Sequence, residues 1–427
     1  MNQSNCLRNT KRVIITAIGL VFATACQSTP RSVDPTISSL VPGNPEALGF
    51  HQAKLNGISA ALQHDVASGK LPGAYLLIAR HGQIAYSQGF GVQGPNQQMP
   101  MSEETIFRIF SMTKPIVTVA AMTLVEQGKL SIDDPVSTYL PEYANLTVLQ
   151  PDGTRKPAAT TMLVRHLMSH TSGLIYGFMQ PDTWLSKAYA TAGIGDPTIS
   201  ARELARRLAS LPLIAEPGSA WHYSLATDVL GALIEVVAQQ PLDVVVQERV
   251  TGPLGMTDTK FFQATSAAAR FAEPKQSELF YYDYAQPTAL LQGGGGLSST
   301  SEDYLRFTEM LRNNGSYRGV TIIEPETLDR MRTAETNQAI REQGAFFIAQ
   351  GPATNSMEFG LGFSIVTDDS RQRPANGTIS WSGIAGTEFW IDPKNDLAVI
   401  FMIQDHQLLF EYQEKNRNWV YDALSAQ

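Results

Sequence analysis

Cysteine is nearly absent: the 427 residues contain two, Cys6 and Cys26. A disulfide scaffold and a cysteine-based zinc site are both excluded. Basic blocks are missing as well. Lys and Arg total 32 against 40 Asp and Glu, for a net charge of −8, and no cationic run follows the first dozen residues. A nucleic-acid partner asks for a cationic face, so none is expected. Charged residues make up 17% of the chain and hydrophobic ones 43%. That is too little charge for a disordered chain and enough apolar surface for a buried core. Length alone allows two or three domains, or one large split domain.

Several catalytic signatures are also lacking. There is no G-x-S-x-G elbow, which disfavours an ordinary Ser-His-Asp hydrolase. His166 and His170 have the spacing of a zincin pair on an apparent helix, but Leu167 follows His166 where that mechanism needs a glutamate. Two histidines satisfied by hydrogen bonds near a loop is the better reading. No G-x-x-x-x-G-K-[ST] loop occurs. The glycine run Gly293 to Gly296 suits a close backbone approach beside a site better than a phosphate cradle.

What is there begins with an address. Arg8, Lys11 and Arg12 precede the apolar run Val13 to Ala25, 13 residues long and too short for a mature membrane span. It fits the core of a signal peptide, residues 1–25. The stretch A-T-A-C at Ala23 to Cys26 resembles a bacterial lipobox, with Ala23 where leucine is usual. Two outcomes stay open: lipidation of Cys26, which would tie the chain to a membrane, or ordinary cleavage at an A-x-A site. Either way the expected location is the periplasm. Residues 26–45, rich in Pro and Ser, read as a tether.

The folded part, residues 46–427, shows strands near both ends. Ala47 to Ser68 has helical spacing at Leu55, Ile58, Leu62 and Val66. The strand-like runs Gly73 to Arg80 and Gln83 to Ser87 flank a hairpin signal, His81-Gly82. Gly377 to Trp381, Thr387 to Ile391 and Leu397 to Ile403 also read as strands, and Phe410 to Ser425 as a closing helix. The middle is mostly helical in pattern. The expectation is an α+β fold, an α/β sandwich. One antiparallel sheet is built from both chain ends and flanked by helices, with a helical insertion at about 150–285 and a cleft at the junction.

The chemistry-bearing motif is Ser111-Met112-Thr113-Lys114. Serine and lysine three apart share a helix face. Pro115 is tolerated only in a first turn, which fixes the helix start near Ser111 and places its hydroxyl at the positive end of the helix dipole. A desolvated lysine can lose its proton near neutrality and act as a base. The plainer reading is a helix cap with a solvated lysine. Gly128 reads as the helix stop. Tyr223, in Trp221-His222-Tyr223-Ser224, is either a phenol poised against Ser111 or a packed aromatic. Trp381-Ser382-Gly383-Ile384 ends a strand whose edge would offer the Ile384 amide, with that of Ser111, to an oxyanion. The plainer reading there is a strand turn.

The order S-x-x-K, Y-S, W-S-G resembles the serine beta-lactamase and penicillin-binding-protein superfamily, in its class C-like branch. Arg165 to Leu174, Pro253 to Thr259 and Gly293 to Thr300 agree, and the likeness covers about residues 46–425. It implies Ser111 as nucleophile, Lys114 as its base and Tyr223 as proton relay, with acyl transfer through an acyl-Ser111 intermediate. No metal or organic cofactor is implied. Two departures bear on substrate. Leu225 stands where Y-x-N has asparagine, and Trp381 where K-T-G has lysine. Losing a charge-assisted bond to a substrate carboxylate costs about 1.5–3 kcal/mol, roughly ten- to a hundredfold. The tryptophan pattern is similar to the family VIII carboxylesterases, whose third motif is usually W-G-G; Ser382 is a mild departure. The expectation is therefore a serine esterase acting on small apolar acyl esters. Beta-lactamase or D-aminopeptidase-type amide hydrolysis is the alternative, and an envelope protein that keeps the fold for binding a third.

Overall fold

The computed structural model describes residues 40–275, 285–342, 357–368 and 373–425. The signal peptide, Cys26 and most of the tether lie outside the described residues.

Eight antiparallel strands form the central sheet. Three come from the start of the folded part: β1 (Gly73–Arg80), β2 (Gln83–Gly94) and β3 (Gln97–Pro100). Five come from its end: β4 (Met357–Phe359), β5 (Ser364–Val366), β6 (Ile379–Ser382), β7 (Glu388–Asp392) and β8 (Leu397–Met402). Their spatial order is β4-β5-β6-β7-β8-β1-β2-β3. The expected sheet from both chain ends is therefore present, joined where β1 pairs with β8, Tyr75 opposite Met402. At the β1–β2 turn both His81 (φ 52) and Gly82 (φ 70) take left-handed conformations, the requirement of a tight hairpin. Strand β2 runs to Gly94, beyond the expected Ser87, because it also carries the short β3.

Both faces of the sheet are covered. Strand β1 is buried along its whole length. Leu76 and Ile78 pack with Leu55, Leu62, Tyr412 and Val420, residues of α1 (Gln52–Ala67) and the C-terminal helix Leu409–Ala423. Tyr75, Leu77 and Ala79 face the larger core on the other side. The period of two thus splits one strand between two cores. The first helix starts at Gln52, five residues later than its apolar pattern suggested, because Ala47 to Phe50 forms a turn held by Leu48 N to Asn44 O (3.0 Å) and Phe50 N to Pro45 O (2.9 Å).

Two helices of the larger core position the site. Helix α2 (Thr113–Glu126) is buried from Thr113 to Leu124. It ends where Gly128, at φ 66, donates to the Val125 carbonyl. Its neighbour α3 (Ala226–Ala238) is buried from Ala226 to Ile234. Among the described residues no single helix is long and apolar enough to cross a membrane.

Candidate active site

Ser111 sits in a single 3-10 turn, Phe110–Met112, immediately ahead of α2. Three ties fix that turn. Ile109 N donates to Leu297 O (3.2 Å), Tyr304 Oη to Met112 O (2.9 Å), and Leu297 N to Thr113 Oγ1 (3.0 Å). Phe110, just before the serine, is held at φ 44, a conformation a bulky side chain adopts only under constraint. The constraint presents the Ser111 hydroxyl, partly exposed, at the head of the helix.

Lys114, three residues on, is fully buried. Its Nζ donates to Ser111 Oγ (3.1 Å), to Tyr176 Oη (3.1 Å) and to the Gly294 carbonyl (2.6 Å). It also lies 4.6 Å from the centre of the Tyr223 ring. The solvated-lysine reading is thereby excluded. Burial holds the amine below its ordinary pKa, and the nearby Asp228 carboxylate pulls it part of the way back. The Tyr223 phenol moves the other way, above its ordinary range, chiefly because it is desolvated, while hydrogen bonding to Ser111 offsets part of the rise. Hydroxyl, amine and phenol therefore converge, with the amine the easier group to deprotonate.

The side chains packed behind Tyr223 are aromatic. Trp381 meets Tyr223 edge-on (5.4 Å, 62°) and Phe359 likewise (5.0 Å, 80°). Trp221 stacks on Tyr223 at 5.9 Å. Trp381 is buried. Beyond it, Gly383 lies against Ile109, two residues before Ser111. A Cβ there would lie 2.4 Å from both Ile109 O and Thr387 Oγ1, so only glycine fits. The next amide, Ile384 N–H, donates to no carbonyl of the described residues. Ser382 is different. It stands opposite Glu388, whose carboxylate bonds Asn416 on the C-terminal helix (3.1 Å). Strand alternation thus turns the Ser382 side chain away from the pocket that Trp381 faces.

The histidine pair does not lie on one helix. The helix Val164–Met168 ends before His170, which takes φ 57 and turns the chain. His166 Nδ1 accepts from Leu163 N (3.1 Å) at that helix's start. His170 is buried, with Nδ1 3.3 Å from Ser224 Oγ and its ring 4.7 Å from Tyr223. Among the described residues no three His, Cys, Asp or Glu side chains are grouped so as to hold a metal ion.

Three residues of the site escaped the sequence reading by name or by role. Tyr176 follows the turn at His170 and reaches Lys114. Gly294 accepts from Lys114, which gives the glycine run its close approach. Asp228, in the first turn of α3, accepts from Gly294 N (3.1 Å).

The family pattern of the beta-lactamases matches residues 58–423. This chain belongs to the beta-lactamase family. Within that family, esterase EstB of Burkholderia gladioli is 32% identical over 412 residues, covering 88% of this chain and 94% of EstB. Lovastatin esterase of Penicillium rubens is 26% identical over 407 residues, covering 86% and 99%. The solved structure of EstCE1, described as a hydrolase with promiscuous acyltransferase activity, superposes with a TM-score of 0.72 at 30% identity, covering 87% of this chain and 99% of EstCE1. These neighbours agree with the esterase-like branch of the beta-lactamase family, and the chain is a serine hydrolase.

Proposed function

We propose that this hydrolase cleaves esters of small apolar acids through an acyl-Ser111 intermediate. The observation that carries the reading is the buried Lys114 amine 3.1 Å from the Ser111 hydroxyl, beside the Tyr223 ring on which Trp381 packs edge-on. Neutral Lys114 takes the Ser111 proton as the oxygen attacks the ester carbonyl carbon. The Ser111 and Ile384 amides receive the oxyanion. As the intermediate collapses, Tyr223 gives its proton to the departing alkoxide and is reprotonated from Lys114. Water then repeats the sequence, releasing the acid and regenerating the Ser111 hydroxyl. Lys114 is the first acceptor because its proton is the loosened one.

The neighbours named as esterases support the ester as the scissile bond. An indole in place of a cation at 381 supports an uncharged substrate, since it cannot pair with a carboxylate. The same proposal places the mature protein in the periplasm, on or near a membrane if Cys26 is lipidated. The test is p-nitrophenyl acetate and butyrate hydrolysis by wild type and Ser111→Ala, beside nitrocefin. We expect the variant to lose at least about a thousandfold in kcat. Equal rates would remove Ser111 from its role, and nitrocefin turnover matching that of the esters would move the substrate class to beta-lactams.

A further inference from the structure

We propose that Asp228 is a positioning residue: it holds the Gly294 main chain against Lys114 and, through its own charge, sets how firmly that amine keeps its proton. The inference rests on the reading of Lys114 as the base of Ser111.

An aspartate in the first turn of a helix ordinarily faces water and complements the helix dipole. Asp228 does not fit that pattern. It is 3% exposed, and a buried carboxylate is costly unless it is paired and fully hydrogen-bonded. One oxygen, Oδ1, accepts from Gly294 N (3.1 Å). The other, Oδ2, has no hydrogen-bond partner among the described residues. Both the unpartnered oxygen and the Tyr176 hydroxyl crowd the same face of Gly294. A Cβ built there would lie 2.5 Å from Asp228 Oδ2 and 2.8 Å from Tyr176 Oη. The carbonyl of this same glycine accepts from Lys114 Nζ at 2.6 Å. One residue therefore connects acid and amine, its N–H bound to the first and its carbonyl to the second. Nothing in the packing of the larger core demands a carboxylate at this point; an amide of the same shape would accept the Gly294 hydrogen bond equally well. What only the carboxylate supplies is negative charge.

The surroundings of Lys114 leave Asp228 as its counter-charge among the described groups. From its own turn comes the neutral Ser111 hydroxyl. The chain after the turn at His170 contributes the Tyr176 phenol and the buried His170 ring. Burial and the charge of Lys114 both hold that imidazole neutral, far below its ordinary pKa. Tyr223 stays protonated for the reason already given. Asp228 is itself pushed up by desolvation and back down by Lys114, so acid and amine titrate as a pair. A negative charge in this pocket delays deprotonation of Lys114 while fixing where its nitrogen sits.

The experiment is the pH dependence of kcat/KM for p-nitrophenyl butyrate in wild type and Asp228→Asn. That parameter reports the essential base of the free enzyme. Removing the charge while keeping the acceptor moves the acidic limb to lower pH by about one unit or more, raising the rate on that limb roughly tenfold. A purely structural role lowers the whole profile without moving its limb. An unmoved limb in a folded variant, judged by circular dichroism, overturns the proposal. If Asp228→Asn does not fold, Asp228→Ser removes the same charge with less bulk and carries the same expectation. The parent reading fails separately: full turnover by Ser111→Ala would remove it, whereas a dead Ser111→Ala beside an unmoved limb removes only the role of Asp228.

Discussion

Gly294→Ala is the perturbation that tests the pocket most directly. The backbone itself should accept alanine, since Gly294 is not among the glycines at positive φ. The objection is space. The new methyl would sit 2.5 Å from Asp228 Oδ2 and 2.8 Å from Tyr176 Oη, against ordinary contacts of about 3.5 Å. Acid, phenol or glycine backbone must therefore give way by up to roughly 1 Å. Overpacking of this kind costs about 1–3 kcal/mol of stability. The larger effect falls on turnover, because the displaced carbonyl is the one that holds Lys114. A misplacement of about 1 Å is worth about a hundredfold, or 2.7 kcal/mol of activation free energy. Gly295→Ala supplies the control from the adjacent residue: its Cβ would meet nothing closer than Phe110 C at 3.8 Å. The assay is kcat for p-nitrophenyl butyrate together with the melting temperature. The expected outcome is a hundredfold loss at 294 and less than threefold at 295. Equal rates in the two variants would refute the claim that Gly294 is pinned between Asp228, Tyr176 and the lysine.

Two other substitutions have worked outcomes. Tyr176→Phe removes the 3.1 Å bond to Lys114 but keeps the ring against Tyr223 and Phe178. A tenfold to hundredfold fall in kcat/KM is expected with little change in melting temperature, and unchanged turnover would make the phenol a spectator. Glu388, on the other face of the sheet, is fully buried beside Asn416, and burial raises its carboxyl from 4.5 to about 7. Between those two pH values the unfolded chain sheds a proton that the folded state keeps. Stability present below about pH 4.5 is therefore lost as pH rises to about 7, an amount of about 3 kcal/mol. Glu388→Gln should raise the melting temperature at pH 8 far more than at pH 4; a gain confined to acid would contradict the sign.

The local parts of this molecule were legible in its residues. Apolar alternation and the His81-Gly82 turn announce the strands, and Ser111, Lys114 and Pro115 announce a helix head, because each signal is written within a few positions of the chain. Tyr176 and Asp228 were not legible for the same reason. Tyr176 reaches Lys114 only because the chain reverses at His170, a left-handed residue no pattern marks. Asp228 looks like any acid in a first helical turn, and its burial depends on a glycine loop some 66 positions away. The aromatic cluster lies between these cases. Trp381 stood out as a replacement, but Phe359, its edge-on neighbour, is an ordinary core strand residue until the sheet is assembled. Ser382 shows the converse, since proximity in sequence to Trp381 and Ile384 did not carry its side chain into the same space.

The pairing of β1 with β8 also governs how the protein can be made. Tyr75 and Met402 are partners in the middle of the sheet, and Ser425 N closes on Gly49 O at 2.9 Å. A ribosome adding about 5–20 residues per second makes β8 roughly half a minute after β1. Through that interval β1 can pair with β2 on one side only, and its edge toward β8 stays open to chaperones or to aggregation.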